Sequence, residues 1–201
     1  MASKDPEGPR IGVFICHCGT NIAGVLDIKD LCGYADKLPG VVLTAPNLYT
    51  CSEPGQQEII SLIHDHNLNR VIVASCSPKL HEGTFRKCLI EAGLNPFLLE
   101  MINVREQVAW VHSHQPAEAQ QKAKDMLAAA VARAVLLEPL DFIQVPVTKR
   151  ALVVGGGIAG LSAALDLAEA GVETILVERS PTIGGRMAQL CKTFPTMDCP
   201  I

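Results

Sequence analysis

The chain has 201 residues, of which 48% are hydrophobic and 19% are charged, and its formal net charge is −4. This composition indicates a packed globular protein of one large or two small domains and argues against intrinsic disorder. No basic stripe or cluster is present, so we expect no nucleic-acid binding. No apolar stretch is long enough to predict a signal peptide or a membrane span, so we expect a soluble, cytoplasmic protein.

The first part of the chain alternates between predicted strands and predicted helices. Apolar runs predict strands at 11–15, 41–45, 70–74 and 96–100. The helical spacing of apolar residues predicts helices at 22–38, 54–66, 79–92, 105–114 and 116–137. Because strands that alternate with helices form parallel sheets, the sequence predicts an N-terminal parallel-sheet α/β domain, which we assign to residues 1–140.

Four of the eight cysteines follow the predicted strands of this domain. Cys16 and Cys18 come after the first strand, Cys51 after the second and Cys76 after the third. Because the carboxyl ends of parallel strands share one edge, where open α/β sheets bind ligands, we expect these thiols to converge. A serine and a proline follow both Cys51 and Cys76 and favour a helix start there, and a helix N-terminus lowers the pKa of a thiol.

Thiolates gathered at one edge suit a [4Fe–4S] cluster or a zinc ion. Redox-active thiols and inert small side chains are the alternatives. A disulfide framework is not expected in a protein without an export signal. Cys32 and Cys88 fall inside predicted helices, and we interpret them as core side chains. The single tryptophan, Trp110, is interpreted as a core or interface residue.

A second domain, which we assign to residues 141–201, begins with an extended connector at 142–147. A predicted strand at 150–154 leads into a GxGxxG turn, which is followed by a helix at 158–170 and a strand at 173–177. Gly155 permits the tight turn, Gly157 allows close approach of a pyrophosphate, and Gly160 lets the helix lie against the strand. The free N–H groups of the helix N-terminus favour phosphate, so this unit predicts dinucleotide binding.

Two further features favour a flavin as the dinucleotide. Glu178 ends the second strand, where its carboxylate can accept hydrogen bonds from ribose hydroxyls and disfavours a 2′-phosphate. Gly185 and Arg186 form a second loop that can close over the phosphates, an arrangement that resembles the flavin half of thioredoxin reductases. The predicted FAD site comprises Gly155, Gly157, Ile158, Ala159, Gly160, Glu178, Arg179, Gly185 and Arg186.

One β-α-β unit cannot cover both faces of its sheet or enclose a whole flavin. We therefore expect a fragment, or a chain that another component completes, and little activity from this fragment alone. Two alternatives remain at this point. One is a fragment of an NAD-dependent dehydrogenase with a structural zinc, and the other is a non-catalytic electron-relay or docking module. No side chain is predicted to act as a general base or nucleophile.

Several longer strings resemble the family of heterodisulfide reductase A subunits. They lie at 12–24, 47–52, 74–78, 103–107, 184–190 and 193–199. The resemblance implies an iron–sulfur flavoprotein that holds FAD and splits electron pairs, with one electron going to ferredoxin and the other toward disulfide reduction. It also implies B- and C-type partner subunits together with an electron donor of the hydrogenase or formate dehydrogenase type.

The resemblance also bears on the metal ligands. We expect Cys18, Cys51 and Cys76 to ligate a [4Fe–4S] cluster, with Cys16 or Cys199 as the fourth ligand. Cys199 matches the first cysteine of a ferredoxin-like insertion that continues in the family and is absent here, so it can belong to a different cluster. No ligand role is assigned to Cys191.

Overall fold

The computed structural model describes residues 8–199, and the predicted cluster and flavin sites fall within this range. The chain divides into two compact units between Asp141 and Phe142. Each unit is described by itself.

The first unit is built on a sheet of four parallel strands. The strands are β1 (Ile11–Cys16), β2 (Val41–Asn47), β3 (Arg70–Ser75) and β4 (Leu99–Asn103), in the spatial order β2-β1-β3-β4. Every residue of the two central strands, β1 and β3, is buried. The predicted parallel α/β class is confirmed. The order places the carboxyl ends of β1 and β3 side by side, with β2 and β4 flanking them.

Helices cover both faces of this sheet. They are α1 (Thr20–Ala23), α2 (Ile28–Ala35), α3 (Glu53–Asp65), α4 (Pro78–Glu91) and α5 (Pro116–Ala134), together with a 3₁₀ turn (Pro96–Leu98) and a π-helix (Arg105–Ala109). Because side chains alternate along a strand, Val13 faces a core shared with α2 and α5. Phe14 faces a second core, shared with α3 and α4.

Three predicted elements and the interpretation of one side chain differ from the structure. The predicted helix at 22–38 is broken, because Asp27 caps a new helix by accepting the N–H of Asp30 at 3.0 Å. The segment predicted as a helix at 105–114 instead starts as a π-helix, and β4 begins after a 3₁₀ turn rather than at Pro96. Trp110 is 51% exposed, so it is not a core residue, and its alternative interpretation as an interface residue stays a prediction.

The second unit contains one parallel strand pair and a crossing helix. Its elements are β5 (Arg150–Val154), α6 (Ile158–Glu169), β6 (Glu173–Val177) and a 3₁₀ turn (Met187–Gln189). Among its described residues, 142–199, only Gly156 is buried. The strand, turn, helix and strand occur in the predicted order, as in the opening of a Rossmann-like fold. Among the described residues, no helix combines the length and apolarity that crossing a membrane requires.

Candidate functional site

The loops after β1 and β2 are joined by backbone hydrogen bonds. The His17 N–H donates to the Asn47 carbonyl at 2.8 Å, and the Cys18 N–H donates to the Leu48 carbonyl at 3.1 Å. Cys18 itself has a left-handed backbone with φ of 45°, a conformation that a non-glycine residue adopts at a cost and that concentrates at functional sites. The two loops therefore hold Cys18 at the carboxyl edge of the sheet.

Cys16 and Cys51 are placed by the same pair of loops. The sulfur of Cys16, which is buried, accepts the Thr50 N–H at 3.5 Å. The Cys51 carbonyl accepts from the Gln56 side chain at 2.8 Å. Ser52 caps α3, as predicted, because its hydroxyl accepts the Gly55 N–H at 3.3 Å. The start of α3 thus fixes the loop that carries Cys51.

Cys76 directly follows β3 and is buried. Pro78 opens α4 just after it, as the sequence predicts, but the Ser77 side chain makes no capping hydrogen bond. We name the surface formed by Cys16, Cys18, Cys51 and Cys76 the cysteine edge.

Arg105 contacts the cysteine edge, and the sequence pattern did not single it out. Its Nη1 donates to the Cys18 sulfur at 3.5 Å, and its Nη2 donates to Glu106 Oε1 at 2.8 Å. Its guanidinium lies over the Trp110 ring, 4.9 Å from the centroid. The signal was present, since Arg105 follows β4 and the carboxyl ends of all four parallel strands share one edge.

Burial raises the pKa of both Cys51 and Cys76. The prediction that the pKa of these thiols is lowered at a helix start is therefore wrong for the free thiols, because the removal of a thiolate from water is the largest influence at both. The neighbouring thiols also contribute, since Cys16 and Cys18 raise the pKa of Cys51 and since Cys51 and Cys18 raise that of Cys76. Arg105 opposes the shift at both. The pKa of Cys51 and that of Cys76 therefore depend on other groups of the cysteine edge as well as on burial.

Within residues 8–199, no three His, Cys, Asp or Glu side chains are grouped as ligands of a single metal ion. A [4Fe–4S] cluster takes one thiolate per iron, which spreads its four ligands around a larger core. The edge also holds buried polar atoms without a hydrogen-bond partner: Thr50 Oγ1, Ser75 Oγ and Arg105 Nε. Such atoms are rare in folded proteins, and here they adjoin the cysteines or belong to their cationic neighbour. The four cysteines are suitable ligands for such a cluster, and the unpaired N–H and hydroxyl groups fit a bound group that accepts hydrogen bonds.

In the second unit, the two glycine-rich loops are bonded to each other. The Gly184 N–H donates to the Gly156 carbonyl at 2.7 Å, and Gly157 and Gly184 form a parallel bridge. Gly155 has φ of 106°, which permits the tight turn after β5. Together the loops enclose an open cavity of about 420 Å³, which is lined by Val154, Gly155, Gly157, Ile158, Ala159, Gly160, Arg186 and Met187.

Gly157 and Gly160 of this turn differ in what surrounds them. A Cβ at Gly160 would overlap the carbonyl oxygen of Gly155, so only glycine lets α6 lie this close to the turn. A Cβ at Gly157 would meet nothing within 4 Å. The free space beside Gly157 adjoins the start of α6 and leaves room for the pyrophosphate that the sequence predicts.

Glu178 is held by the backbone of this site. Its Oε1 accepts the Ser180 N–H at 2.8 Å and its Oε2 accepts the Gly156 N–H at 2.6 Å. These hydrogen bonds, that from Ser180 first, lower the pKa of the Glu178 carboxyl. The carboxylate is therefore ionised and oriented, and each oxygen keeps a lone pair for a ribose hydroxyl.

The remaining cysteines and predicted FAD-site residues lie at the following positions. Arg179 is exposed beside Glu178, and Gly185 packs against Gly157. Cys191 and Cys199 are exposed in the second unit. Cys32 and Cys88 lie in α2 and α4 and pack against the two cores, as predicted.

Comparison with known proteins finds one family model and several curated relatives. Residues 151–198 match the family model of FAD dependent oxidoreductases. The second iron–sulfur A subunit of the CoB–CoM heterodisulfide reductase of Methanopyrus kandleri is 59% identical over 97% of this chain and 30% of its own length. The A subunit of the H(2):CoB-CoM heterodisulfide,ferredoxin reductase of Methanothermobacter thermautotrophicus is 58% identical over 96% of this chain and 29% of its own.

The similarity extends to more distant relatives. The A subunit of the ferredoxin/F(420)H(2)-dependent CoB-CoM heterodisulfide reductase of Methanosarcina acetivorans is 50% identical over 96% of this chain and 24% of its own length. The chain thus spans between 24% and 30% of the length of these curated relatives. The resemblance found in the sequence is confirmed: over nearly its whole length, the chain corresponds to the N-terminal part of the heterodisulfide reductase A subunits.

Proposed function

We propose that this chain is the cluster- and flavin-binding portion of an electron-transfer oxidoreductase of the heterodisulfide reductase type. The observation that carries the proposal is the cysteine edge, where four cysteines lie at the carboxyl ends of three parallel strands. The loops after β1 and β2 are joined there by backbone hydrogen bonds, and Arg105 donates to the Cys18 sulfur. Cys18, Cys51 and Cys76 are the proposed ligands of a [4Fe–4S] cluster, with Cys16 as the fourth. When bound, such a cluster supplies one-electron transfer.

The chain's own residues prepare this edge for a cluster. The Thr50 N–H already donates to the Cys16 sulfur, and Arg105 donates to the Cys18 sulfur. Hydrogen bonds of this kind stabilise thiolate ligands and help set the potential of a cluster. The burial that raises the pKa of Cys51 and Cys76 keeps the free thiols protonated, so metal binding at these positions would release protons.

The second unit is proposed to hold the pyrophosphate and the adenosine ribose of FAD. The first residues of α6 line the open cavity, and so does Arg186, which carries a positive charge. Glu178 is fixed by two backbone N–H groups, so it meets the ribose as an oriented carboxylate. These residues bind and orient the flavin, while the flavin supplies the redox chemistry.

The names of the relatives suggest the wider setting. We propose that the protein receives electrons from a hydrogenase- or formate-dehydrogenase-type donor. It would pass them to ferredoxin and, through C- and B-type subunits, to a disulfide. The alternative, an NAD-dependent dehydrogenase with a structural zinc, predicts zinc in place of iron and no flavin absorbance.

The deciding experiment is metal, sulfide and absorbance analysis of the anaerobically reconstituted 201-residue chain. We expect about four irons and four sulfides per chain, the count of one [4Fe–4S] cluster. C18S, C51S and C76S should each lose most of this iron. C32S is the matched control, because Cys32 is half-buried in α2 and has no hydrogen bond to the edge among the described residues. Zinc without sulfide, or full iron in all three edge variants, would contradict the proposal.

A further inference from the structure

Arg105 places a positive charge against the proposed cluster ligands. Its Nη1 donates to the Cys18 sulfur at 3.5 Å, and its charge acts on Cys51 and Cys76 as well. The side chain is only 19% exposed, so water screens this charge less than it would at the surface. Arg105 therefore donates a hydrogen bond to one thiol of the cysteine edge, and its charge acts on two more.

The surrounding structure holds the guanidinium in this position. The Asn103 side chain accepts the Glu106 N–H at 2.9 Å, and the Trp110 N–H donates to the Arg105 carbonyl at 2.9 Å. These bonds shape the π-helix, an element that is often found at functional sites. The Glu106 carboxylate and the Trp110 ring then hold two sides of the guanidinium.

One N–H group of the Arg105 side chain has no hydrogen-bond acceptor in the described part of the chain. Its Nε is buried and has no partner among the described residues, while Nη1 and Nη2 donate to Cys18 and Glu106. A buried N–H without an acceptor costs roughly 1–3 kcal/mol. An acceptor at the cysteine edge, such as a cluster sulfide, would satisfy it. The unpaired Nε is therefore an observation independent of the contact with Cys18.

We propose that Arg105 is a positioning and charge-compensating residue for the cluster, which it makes easier to reduce. This inference rests on the proposed function, because it requires a cluster at the cysteine edge. A cluster with four thiolate ligands gains one more negative charge on reduction. A fixed nearby cation stabilises that reduced state more than the oxidised one, so it raises the reduction potential.

Arg86 offers a matched control in the same unit. Its guanidinium pairs with Glu82 at 2.6 Å and lies over the Phe97 ring at 4.6 Å, as that of Arg105 does with Glu106 and Trp110. No hydrogen bond joins it to a cysteine among the described residues. R86Q therefore removes a similar carboxylate pair and ring contact without touching the cysteine edge.

The test is a redox titration, followed by EPR, of the reconstituted 201-residue chain and of R105Q, R105K and R86Q. We expect R105Q to shift the midpoint potential of the cluster to a more negative value and R86Q to leave it unchanged. R105K keeps the charge but loses the planar donor pair, so it should shift the potential less than R105Q. If R105Q binds no cluster, R105K provides the test instead. A shift of its midpoint potential to a more negative value supports the proposal, and no shift or a positive shift contradicts it.

A second readout reports on contact rather than on charge. With ¹⁵N-labelled arginine, pulsed EPR of the reduced cluster should show a nitrogen coupling that persists in R86Q and disappears in R105Q. A potential that R105Q and R105K leave unchanged, or a coupling that R105Q retains, would overturn this inference alone. A wild-type chain that binds no iron and sulfide would instead overturn the proposed function, and this inference with it.

Discussion

Two glycines in one turn have different tasks in the second unit. A methyl group at Gly160 would collide with backbone, whereas one at Gly157 would enter open space. G157A should therefore keep the fold and weaken FAD binding about tenfold or more, a loss of about 1.4 kcal/mol. G160A should destabilise the unit by about 1–3 kcal/mol and weaken binding as well. Thermal unfolding and flavin titration separate the two effects, and equal behaviour of the two variants would contradict this assignment.

Ionisation of the buried Cys88 thiol lowers the stability of the fold at alkaline pH. Burial raises the pKa of this thiol from 9.0 to about 11. The pKa of the Cys88 thiol is higher in the folded chain than in the unfolded chain. The contribution of the protonated thiol to the free energy of unfolding is therefore complete below pH 9 and is lost as the pH rises toward 11. The melting temperature of wild type should therefore fall more steeply over this window than that of C88A. Cys32, whose pKa burial also raises to about 11, leaves part of the slope in the variant. Identical slopes would show that Cys88 does not contribute.

For single residues, the sequence predicts those roles that depend on the neighbouring positions in the chain. The roles of Gly155 and Gly160 follow from the spacing of the turn, because backbone sterics at a strand-to-helix turn are local. Arg105 could not be assigned in the same way, since its contact with Cys18 spans 87 positions along the chain. The direction of the pKa shift of Cys51 also depends on burial, which only the folded chain determines.

Among the elements, the start of α3 controls the loop that carries Cys51. A Cβ on Gly55 would lie 2.5 Å from the Tyr49 carbonyl oxygen and 2.9 Å from that of Thr50. G55A should therefore displace this loop, at a cost of about 1–3 kcal/mol, and lower cluster occupancy. Iron content and thermal unfolding measure the two effects.

The control for this variant is G83A. Gly83 is exposed within α4, and a Cβ there meets nothing within 4 Å. Replacing it should stabilise the helix by about 0.5–1 kcal/mol and leave the iron content unchanged. If G55A retained all of its iron, the loop would not depend on close packing at Gly55.

The elements that the sequence predicted well are those with a strong local signal. β3 and α4 follow from a buried apolar run and from a proline at the helix start. The break between α1 and α2 was missed, because apolar spacing continues across it while Asp27 offers a competing cap. The π-helix was also missed, since its wider hydrogen bonding depends on contacts with β4 and α5 rather than on composition.

In the molecule as a whole, burial is divided unequally between the two units. β1 and β3 are buried throughout, whereas α6 has no buried residue. Hydrogen exchange should therefore be slowest in β1 and β3 and much faster in α6, because local opening of α6 exposes little new apolar surface. The comparison helix is α5, which has six buried residues. Equal protection of α6 and α5 would contradict this expectation.

The class of the whole fold was predictable because alternating strands and helices admit few arrangements. The spatial order of strands was not, since the crossover from β2 to β3 across β1 leaves no local trace in the sequence. That order is nevertheless what brings Cys16 and Cys76 to neighbouring strand ends.

The ring that lies over Arg105 is the only tryptophan of the chain. The intrinsic emission of the chain therefore comes from one indole, which contacts Arg105 and is half exposed to solvent. An iron–sulfur chromophore absorbs broadly and accepts excitation from a nearby indole. Intrinsic fluorescence should accordingly dim as iron and sulfide assemble and recover when a chelator removes them, without any added dye.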